Sequence, residues 1–415
     1  MTATRHESYR CRSCGGADLF PILDLGRMPL ANSLLTADQL GAPEERFPLD
    51  LVLCRGCTLV QITESVAPEK LFREYLYFSS FSDTMLRHAE GLVARMIPRL
   101  GLGPDSLAAE VASNDGYLLQ FYRRAGVPVL GIEPAVNIAR VAEANGVRTV
   151  PEFFGADLAR RLAAGGERAD VIHANNVLAH VPDLNGVVAG FAAFLKAGGV
   201  VVSESPYVKD MVDGVEFDTI YHEHLCYYSL TALDRLFARH GLRIHDVERL
   251  PIHGGSLRIY AAHDRPESPA RTQAVTDLLA AEAAWGVGSD AFYAGFGDRV
   301  LALRGRLLAL LRGLKAEGKR LAAYGASAKG STLLNFFGIG PETLDFVADR
   351  STHKQGRYAP GVHLPVVAPE ALLAERPDYT LLLTWNFADE ILAQQAEYRA
   401  AGGRFIVPIP DVRVV

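Results

Sequence analysis

Two cysteine pairs near the beginning of the chain constrain its fold more than any other sequence feature. Cys11 and Cys14 form one CxxC pair, and Cys54 and Cys57 form a second. A two-residue spacer lets both thiolates of a pair point at one ion, and four sulfurs complete the tetrahedral ligand set of a structural zinc site. We therefore predict a zinc-binding domain over residues 1–75, in which the metal holds the fold and takes no part in catalysis.

Other uses of these cysteines are less well supported by their surroundings. A redox CxxC needs a thioredoxin-like βαβ context, which this part of the sequence lacks. Zinc ribbons often bind nucleic acid, but the chain has 42 basic against 48 acidic residues and a net charge of −6, which argues against such a partner. A glycine beside each pair, Gly15 and Gly56, is expected to permit the tight turn. The fifth cysteine, Cys226, is interpreted as a small buried residue.

Length and composition set the wider frame. A chain of 415 residues, 49% hydrophobic and 22% charged, is typical of a globular protein of two or three domains. No apolar run approaches the length of a membrane span, so we predict no membrane partner. The N-terminal residues have no apolar signal core, and we expect a cytoplasmic protein.

The middle of the chain alternates short apolar runs with helical stretches, as a mostly parallel α/β domain does. The first apolar run enters a turn in which Ala112 and Asn114 occupy the glycine positions of a dinucleotide fingerprint. Glu110, just before this turn, would repel a phosphate, so a dinucleotide is disfavoured. The second apolar run ends at Glu133, where Rossmann-like folds place an acid that binds ribose hydroxyls. The residues assigned to the cofactor site are Glu110, Ala112, Asn114, Gly116, Glu133, Pro134, Asn175 and Asn176.

The later part of this domain identifies its class. The segment FLKAGGVVV predicts a helix capped by Gly199 and a strand from Val200. The apolar runs at 242–248 and 255–260 are too close for a parallel crossover and predict a terminal hairpin. A parallel sheet closed by such a hairpin resembles the class I S-adenosylmethionine-dependent methyltransferases, and we favour a methyltransferase over a dehydrogenase.

A polar-aromatic loop, YHEHLCYY, follows the fifth strand and is the predicted reacting centre. Tyr221, Glu223 and His224 can provide a proton donor, an orienting acid and a proton acceptor, and imidazole titrates near neutral pH. An HxH metal pair and a purely structural cap are the alternatives. Before the domain, Tyr75 and Tyr77 lie in a second aromatic loop, which either packs between domains or forms a lid over a ligand.

The last third repeats the strand–turn–helix pattern in the segment LAAYGASAKGST. Its small residues, helix N-terminus and lysine suit a phosphate, and we predict that this half binds the diphosphate of a sugar nucleotide. NAD is the other interpretation, although two fingerprint glycines are missing or misplaced. Solvated surface charge is the alternative for each cation. Counting His180 after the fourth strand, the residues assigned to the substrate are Tyr77, His180, Tyr324, Ser327, Lys329, Arg350 and Lys354.

Seven segments occur here in one order: the two CxxC pairs, EVASNDGYLL, GIEP, NNVLAHVPD, YHEHLCYYS and GASAKG. Together they resemble, over essentially the whole chain, the sugar C-3′-methyltransferases of deoxysugar biosynthesis of the D-tetronitrose and D-kijanose type. The resemblance implies a zinc-binding domain, an S-adenosylmethionine domain at 76–268 and an α/β domain at 269–415 that contributes to the nucleotide-sugar site.

The same resemblance implies a substrate and residue roles. The substrate would be a dTDP-linked 3-amino-4-keto-2,3,6-trideoxyhexose, methylated at C3 on the way to a branched deoxysugar of a natural product. His224 would be the base, Tyr221 and Glu223 would assist it, and Tyr75 would face the sugar. We expect a monomer. A related mycarose-type substrate without the amino group, and a zinc-ribbon protein acting on nucleic acid, are the alternatives.

Overall fold

The computed structural model describes residues 9–68, 71 and 78–415, which form three β-sheets and the helices around them. The strands are β1 Leu19–Met28, β2 Phe47–Cys54, β3 Val60–Ile62, β4 Ala108–Val111, β5 Val129–Ile132, β6 Thr149–Val150, β7 Ala169–Asn175, β8 Leu195–Pro206, β9 Cys226–Tyr227, β10 Leu242–Leu250, β11 Ser256–His263, β12 Leu321–Tyr324, β13 Val347–Ala348, β14 Val366–Val367, β15 Tyr379–Leu382, β16 Arg404–Val407 and β17 Arg413–Val414. The helices are α1 Asp83–Leu100, α2 Leu119–Arg124, α3 Val136–Ala144, α4 Ala156–Ala164, α5 Leu184–Phe194, α6 Val208–Asp213, α7 Leu230–Ala238, α8 Gln273–Trp285, α9 Asp290–Tyr293, α10 Phe296–Ala316, α11 Ala328–Phe337, α12 Ala371–Glu375, α13 Ala388–Gln394 and α14 Ala396–Ala400.

The first sheet has the order β1-β2-β3-β9 and is antiparallel throughout. Its centre is strand β2, where Leu51, Val52 and Leu53 are all fully buried. The fourth strand comes from far along the chain, because Gln61 of β3 pairs with Cys226 of β9. The end of the predicted reacting loop is therefore hydrogen-bonded to the cysteine-containing part of the molecule.

The central sheet has the order β10-β11-β8-β7-β4-β5-β6. The five strands from β4 to β8 are parallel, whereas β11 runs antiparallel to both β8 and β10. Helices lie on both sides of the parallel strands, which is why the four residues of β4 are all buried. The predicted parallel sheet with a terminal hairpin is confirmed, and open sheets of this kind bind their ligands beyond the carboxyl ends of the parallel strands, here β4, β5 and β7.

The predicted helix through Gly199 is wrong in its end point. Helix α5 ends at Phe194 and strand β8 begins at the next residue, with an irregular register against β7. Gly199 is required by close approach rather than by a helix cap, because a Cβ atom there would lie 2.9 Å from the Ala169 carbonyl oxygen. The strand thus includes residues 195–199, five residues that the sequence pattern had assigned to the helix.

The third sheet has the order β14-β13-β12-β15-β16-β17, parallel except for β17. The long helix α10 leads into it and packs against β1 of the first sheet. Its buried face repeats at intervals of three and four residues, as an amphipathic helix requires. That face consists of Phe296, Val300, Leu303, Leu307, Leu311 and Leu314. Within the described ranges, none of the helices combines the length and apolarity needed to cross a lipid bilayer.

Candidate functional site

The four cysteines of the two pairs come together as predicted. The Sγ atoms of Cys11 and Cys57 are 3.5 Å apart, as are those of Cys14 and Cys54, and all four lie within 4.8 Å of one another. A tetrahedral zinc ion with Zn–S bonds of about 2.3 Å separates its sulfurs by about 3.8 Å, so the set fits zinc. Gln61 donates a hydrogen bond from Nε2 to the Cys11 sulfur at 3.1 Å, as ligand-supporting side chains do.

Each CxxC pair forms a tight turn, which we call a knuckle, and only the first of the two uses the predicted glycine for it. Gly15 has a left-handed backbone with φ of +73°, whereas in the second knuckle the left-handed residue is Thr58, with φ of +65°, and not Gly56. Gly16 is also constrained, because a Cβ atom there would lie 3.2 Å from the Cys14 sulfur. The sequence therefore predicted the ligands correctly but not which residue closes the second turn.

A cavity of about 680 Å³ lies where the three sheets meet, at the carboxyl ends of β4, β5, β7, β12 and β15. Residues from all three parts of the chain line it. The predicted site residues on its wall are Ala112, Asn114, Glu133, Pro134, Asn175, Asn176, His180, Tyr221, Glu223, His224, Ser327, Lys329 and Lys354. The two predicted tyrosines at 75 and 77 lie outside the described residues.

The turn after β4 forms one end of the cavity. Ala112, Asn114 and Gly116 all have left-handed backbones, with φ of +50°, +49° and +81°. The Glu133 carboxylate holds this turn, because it accepts hydrogen bonds from the backbone nitrogens of Asn114 at 3.0 Å and Ala135 at 2.8 Å. Burial raises the pKa of Glu133, and these two bonds oppose that rise. The acid at the end of β5 thus shapes the turn as well as facing the cavity.

Two of the predicted cofactor residues are set back from the cavity wall. Glu110 is only 1% exposed inside β4, and burial raises the pKa of its carboxyl well above the ordinary value. Gly116 lies against Val147, where a Cβ atom would come within 2.9 Å of a methyl carbon. Both residues support the turn from behind. The aromatic rings of Phe153 and Phe154, which were not assigned to the site from sequence, line the cavity instead.

A polar atom without a partner faces this end of the cavity. Asn175 lies on the wall at the end of β7, and its buried Oδ1 has no hydrogen-bond partner among the described residues. A buried amide oxygen is costly unless something donates to it. A ligand with a hydroxyl or amino group fits that requirement.

The predicted reacting loop presents a tyrosine–histidine pair to the cavity. The Tyr221 hydroxyl lies 2.8 Å from Nε2 of His224, and Nδ1 of the same imidazole lies 2.9 Å from the Thr219 carbonyl oxygen. A carbonyl oxygen only accepts, so the neutral ring carries its proton on Nδ1. Nε2 then offers a lone pair, to which the Tyr221 hydroxyl donates. This is the arrangement of a base whose tautomer is fixed from behind.

Two neighbours complete this wall. The Glu223 carboxylate accepts a hydrogen bond from Nδ2 of Asn32 at 2.7 Å, so the first sheet's part of the chain reaches the site. The His180 ring lies edge-on to His224 with centroids 4.8 Å apart. Burial lowers the pKa of His180 to about 4, and this ring is therefore uncharged at neutral pH. Asn32 was missed because nothing in the loop PLANSLL marks it as chemical.

The HxH metal alternative is not supported by where the two side chains point. His222 is 2% exposed, does not line the cavity, and donates from Nε2 to the Pro48 carbonyl oxygen at 3.1 Å. It packs edge-on against Phe47 with centroids 5.8 Å apart. Over the described ranges, the four cysteines are the only group of three or more histidine, cysteine or acidic side chains arranged to hold an ion.

The N-terminus of α11 forms the other end of the cavity. Ser327 caps this helix by accepting from the Gly330 nitrogen at 3.1 Å, and Asp349 accepts from the Ala326 nitrogen at 2.7 Å. Lys354 donates to the Ala326 carbonyl oxygen at 2.8 Å while lining the cavity. The turn is tight because Gly325, with φ of +94°, leaves no room for a Cβ atom against the Thr384 side chain.

Of the remaining predicted substrate residues, one lines the cavity and two do not. Lys329 lines the cavity, and its Nζ lies 4.7 Å from the centre of the Trp385 ring without a hydrogen-bond partner in the described part of the chain. Tyr324 is buried beneath the turn, and Arg350 is exposed away from the cavity. Arg357 and Asn386 line the cavity although neither was assigned from sequence. Asn386 follows the end of β15, a position where a site residue could have been expected.

Comparison with known proteins gives three adjoining family matches. Residues 11–72 match a zinc binding domain, residues 85–247 a methyltransferase domain, and residues 251–410 a C-methyltransferase C-terminal domain. C-methyltransferase NovU from Streptomyces niveus is 39% identical over 405 residues, which cover 98% of this chain and 96% of that protein. The similarity therefore extends over all three parts of the molecule.

Two similar solved structures each cover less than half of this chain. Magnesium protoporphyrin IX methyltransferase from Synechocystis PCC 6803 with bound SAM has 13% identity and a TM-score of 0.33, covering 43% of this chain and 79% of that one. The CcbJ methyltransferase from Streptomyces caelestis has 15% identity and a TM-score of 0.34, covering 43% and 90%.

Proposed function

Because this chain belongs to the family of S-adenosylmethionine-dependent C-methyltransferases, we propose that it methylates C3 of a dTDP-linked 3-amino-4-keto-2,3,6-trideoxyhexose. The product would be a branched deoxysugar used in a natural product. The observation that carries the proposal is the Tyr221–His224 pair, placed on the wall of one cavity between the cofactor turn and the N-terminus of α11. This placement would bring a methyl donor and an extended sugar nucleotide to either side of the base.

The cofactor end fits S-adenosylmethionine. When bound, the cofactor supplies a methyl group on a positively charged sulfur, which is open to attack by a carbon nucleophile. The left-handed turn at Asn114, the Glu133 carboxylate and the unpartnered Asn175 oxygen are the groups that would hold it. The turn lacks the glycines that a dinucleotide pyrophosphate needs, which agrees with this choice.

The chemistry of the substrate explains the base. A ketone at C4 makes the neighbouring C–H acidic, because loss of that proton gives an enolate. His224 would take the proton on Nε2, and the Thr219 carbonyl would stabilise the resulting imidazolium through Nδ1–H. The Tyr221 hydroxyl could then donate to the enolate oxygen. The enolate carbon attacks the methyl group, and the chain's main contribution to that step is to align the two reactants.

The sugar nucleotide would extend toward the third sheet. The positive end of the α11 helix dipole, together with Lys329, Lys354 and Arg357 on the same wall, suits a diphosphate. Tyr324 and Arg350, which the sequence also suggested, stay behind or outside this wall. Zinc would have a structural role only, because all four ligand positions are taken by cysteines.

Direct assay of methyl transfer tests the substrate. The protein would be incubated with S-adenosylmethionine and a panel of dTDP-4-ketosugars with an amino, hydroxyl or hydrogen substituent at C3. We expect a gain of one methyl group by mass, at C3 by NMR, and fastest for the amino sugar. Preference for the hydroxyl sugar would favour the mycarose-type alternative. Methylation at C5, on the other side of the ketone, would contradict the proposed position.

The base is tested separately by H224N. Because Asn cannot accept the C3 proton, turnover should fall by about 10²–10⁴, while the Kd for S-adenosylmethionine stays nearly unchanged. H222Q is the control, since His222 does not line the cavity and the Gln amide can still donate to the Pro48 carbonyl. Wild-type turnover in H224N would eliminate His224 as the base.

The oligomeric state, location and partners of the enzyme are a further part of the proposal. We propose a cytoplasmic monomer that acts on a free small molecule, without a nucleic-acid or membrane partner. The net charge of −6 and a cavity wall built by residues of one chain support this. Light scattering on the purified protein should give the mass of one chain, 45.0 kDa. A stable dimer would contradict the proposed state.

A further inference from the structure

The segment 217–220 links the third sheet's part of the chain to the reacting loop. Phe217 stacks on Phe337 of α11 with ring centroids 4.8 Å apart, and Thr332 of the same helix donates to the Ile220 carbonyl oxygen at 3.3 Å. Between these contacts, Nε1 of Trp385 donates to Oδ2 of Asp218 at 2.7 Å. Three contacts from the C-terminal part thus hold four consecutive residues.

The same segment holds the base. The Thr219 carbonyl oxygen accepts from Nδ1 of His224 at 2.9 Å and also from the Tyr227 hydroxyl at 3.3 Å. Thr219 directly follows Asp218, so a shift of the carboxylate moves the peptide group that orients the imidazole. A change of a few tenths of an ångström is enough to weaken a hydrogen bond of this kind.

Burial makes the Trp385–Asp218 bond more than a packing detail. Asp218 is 0% exposed, and its second oxygen has no hydrogen-bond partner in the described part of the chain. A buried carboxylate is costly unless something donates to it, and the indole N–H is the side-chain donor to Asp218, beside the backbone N–H groups of Asp218 and Thr219. The positive charge of Lys329 attracts the Asp218 carboxylate, and the Glu216 carboxylate is close enough to repel it. Neither Lys329 nor Glu216 makes a hydrogen bond to Asp218.

We propose that Trp385 and Asp218 are positioning residues for the reaction: their hydrogen bond fixes the Thr219 carbonyl, which holds His224 as the Nδ1–H tautomer with its Nε2 lone pair toward the cavity. The C-terminal α/β part then contributes to proton abstraction as well as to substrate binding. This inference rests on the proposed role of His224 as the base. It assigns no contact with the substrate to either residue.

The first test reads the tautomer without any substrate. Nitrogen-15 NMR of histidine-labelled protein distinguishes the two neutral tautomers, and the signal that disappears in H224N identifies His224. We expect the Nδ1–H form in the wild type and a mixture of both forms in W385F, which keeps a ring but loses the donor. D218N should resemble the wild type, because an amide oxygen still accepts from the indole. An unchanged tautomer in W385F overturns the proposal.

The second test reads the chemistry, with whichever ketosugar the wild type methylates. In W385F we expect kcat to fall about tenfold with KM for S-adenosylmethionine unchanged, and the deuterium isotope effect at the exchanged C–H to rise because proton removal becomes slower. Y398F is the matched control, since it removes a buried hydroxyl bond elsewhere in the same sheet's surroundings and should leave kcat unchanged. An unchanged kcat in W385F also overturns the proposal.

The two readouts separate the inference from the proposed function. If the wild type methylates none of the ketosugars, the proposed function fails and the tautomer measurement alone decides the role of Trp385. Thermal unfolding of each variant identifies loss of folding. If W385F does not fold, D218A and D218N are compared instead: a mixed tautomer in D218A alone supports the proposal, and the same single tautomer in both overturns it.

Discussion

Two histidines of the same loop, His222 and His224, lie two positions apart and have different roles. His224 faces the cavity with its tautomer set by a backbone carbonyl, whereas His222 donates to Pro48 and packs on Phe47. The sequence predicted that YHEH carries chemistry, but spacing alone left the HxH metal pair open. What separates the two rings is the direction of the backbone between them, which depends on the first sheet that the loop joins.

Single residues from other parts of the chain were the hardest to predict. Asn32, Trp385 and Arg357 lie beside the site or its supports, yet none belongs to a recognisable motif. The prediction for Arg350 was based on its place next to a predicted strand end; its side chain is exposed and does not line the cavity. A sequence motif predicts site residues that lie close together along the chain. Residues that reach a site from another sheet depend on packing between the parts.

Glu216 gives a pH-dependent prediction at this scale. Burial raises its pKa from 4.5 to about 8, although nearby Lys329 opposes the rise. Between those pH values the unfolded chain has released the proton and the folded chain has kept it, so stability falls as pH rises. E216Q removes this effect, at most about 1.4 kcal/mol per pH unit. Its melting temperature relative to wild type should therefore rise from pH 5 to pH 8. The exposed carboxylate variant E397Q is the control, and an equal offset at both pH values would contradict the expectation.

At the scale of elements, regular strands and helices followed their sequence patterns, and the exceptions follow from contacts between elements. Gly198 and Gly199 look like a helix cap in the sequence, but they lie inside β8, where strand β7 needs a partner and the Ala169 carbonyl leaves no room for a side chain at Gly199. The position of Gly199 therefore reflects strand packing. A single sequence cannot distinguish these two uses of glycine, because both put a glycine at the boundary of a helix and a strand.

The turn after β4 depends on a close approach to β5. Gly131 has no side chain, and a Cβ atom there would lie 2.5 Å from the Ser113 hydroxyl and 3.0 Å from the Thr149 hydroxyl. G131A should therefore displace the turn, reduce stability by about 1–3 kcal/mol and weaken S-adenosylmethionine binding. Calorimetric titration and thermal unfolding measure the two effects. S113A combined with G131A should recover part of both, and failure of G131A to change either would refute the crowding.

At the scale of the whole molecule, the sequence predicted three parts in the right order, with a zinc cluster, a class I sheet and a second α/β sheet. It did not predict that one part supplies a strand or a helix to another. Strand β9 leaves the central part to complete the first sheet, and α10 returns from the C-terminal part to cover β1. Two-residue strands such as β9 carry no periodicity to detect. The cavity exists only because all three parts contribute to its wall.

This exchange predicts that zinc loss reaches the site. In C54S one ligand is lost, so the first sheet should lose metal and folding yield, and the residual soluble protein should bind less than one zinc per chain. Methyl transfer should fall in proportion to folded protein, because β9 and the loop before it depend on β3. Metal analysis and activity per folded molecule check this. C226A, a buried cysteine outside the cluster, should keep its zinc. A stable, active, zinc-free C54S enzyme would contradict the structural role.

The β3–β9 pairing also determines when during synthesis the first sheet can be finished. Strands β1 to β3 and all four cysteines leave the ribosome early, whereas residues 226–227 emerge only after most of the central sheet. At about 5–20 residues per second, that is an interval of roughly ten to thirty seconds. During it the edge of β3 has no partner, although zinc can already be bound. Metal capture would therefore protect a nascent chain whose last strand has yet to be translated.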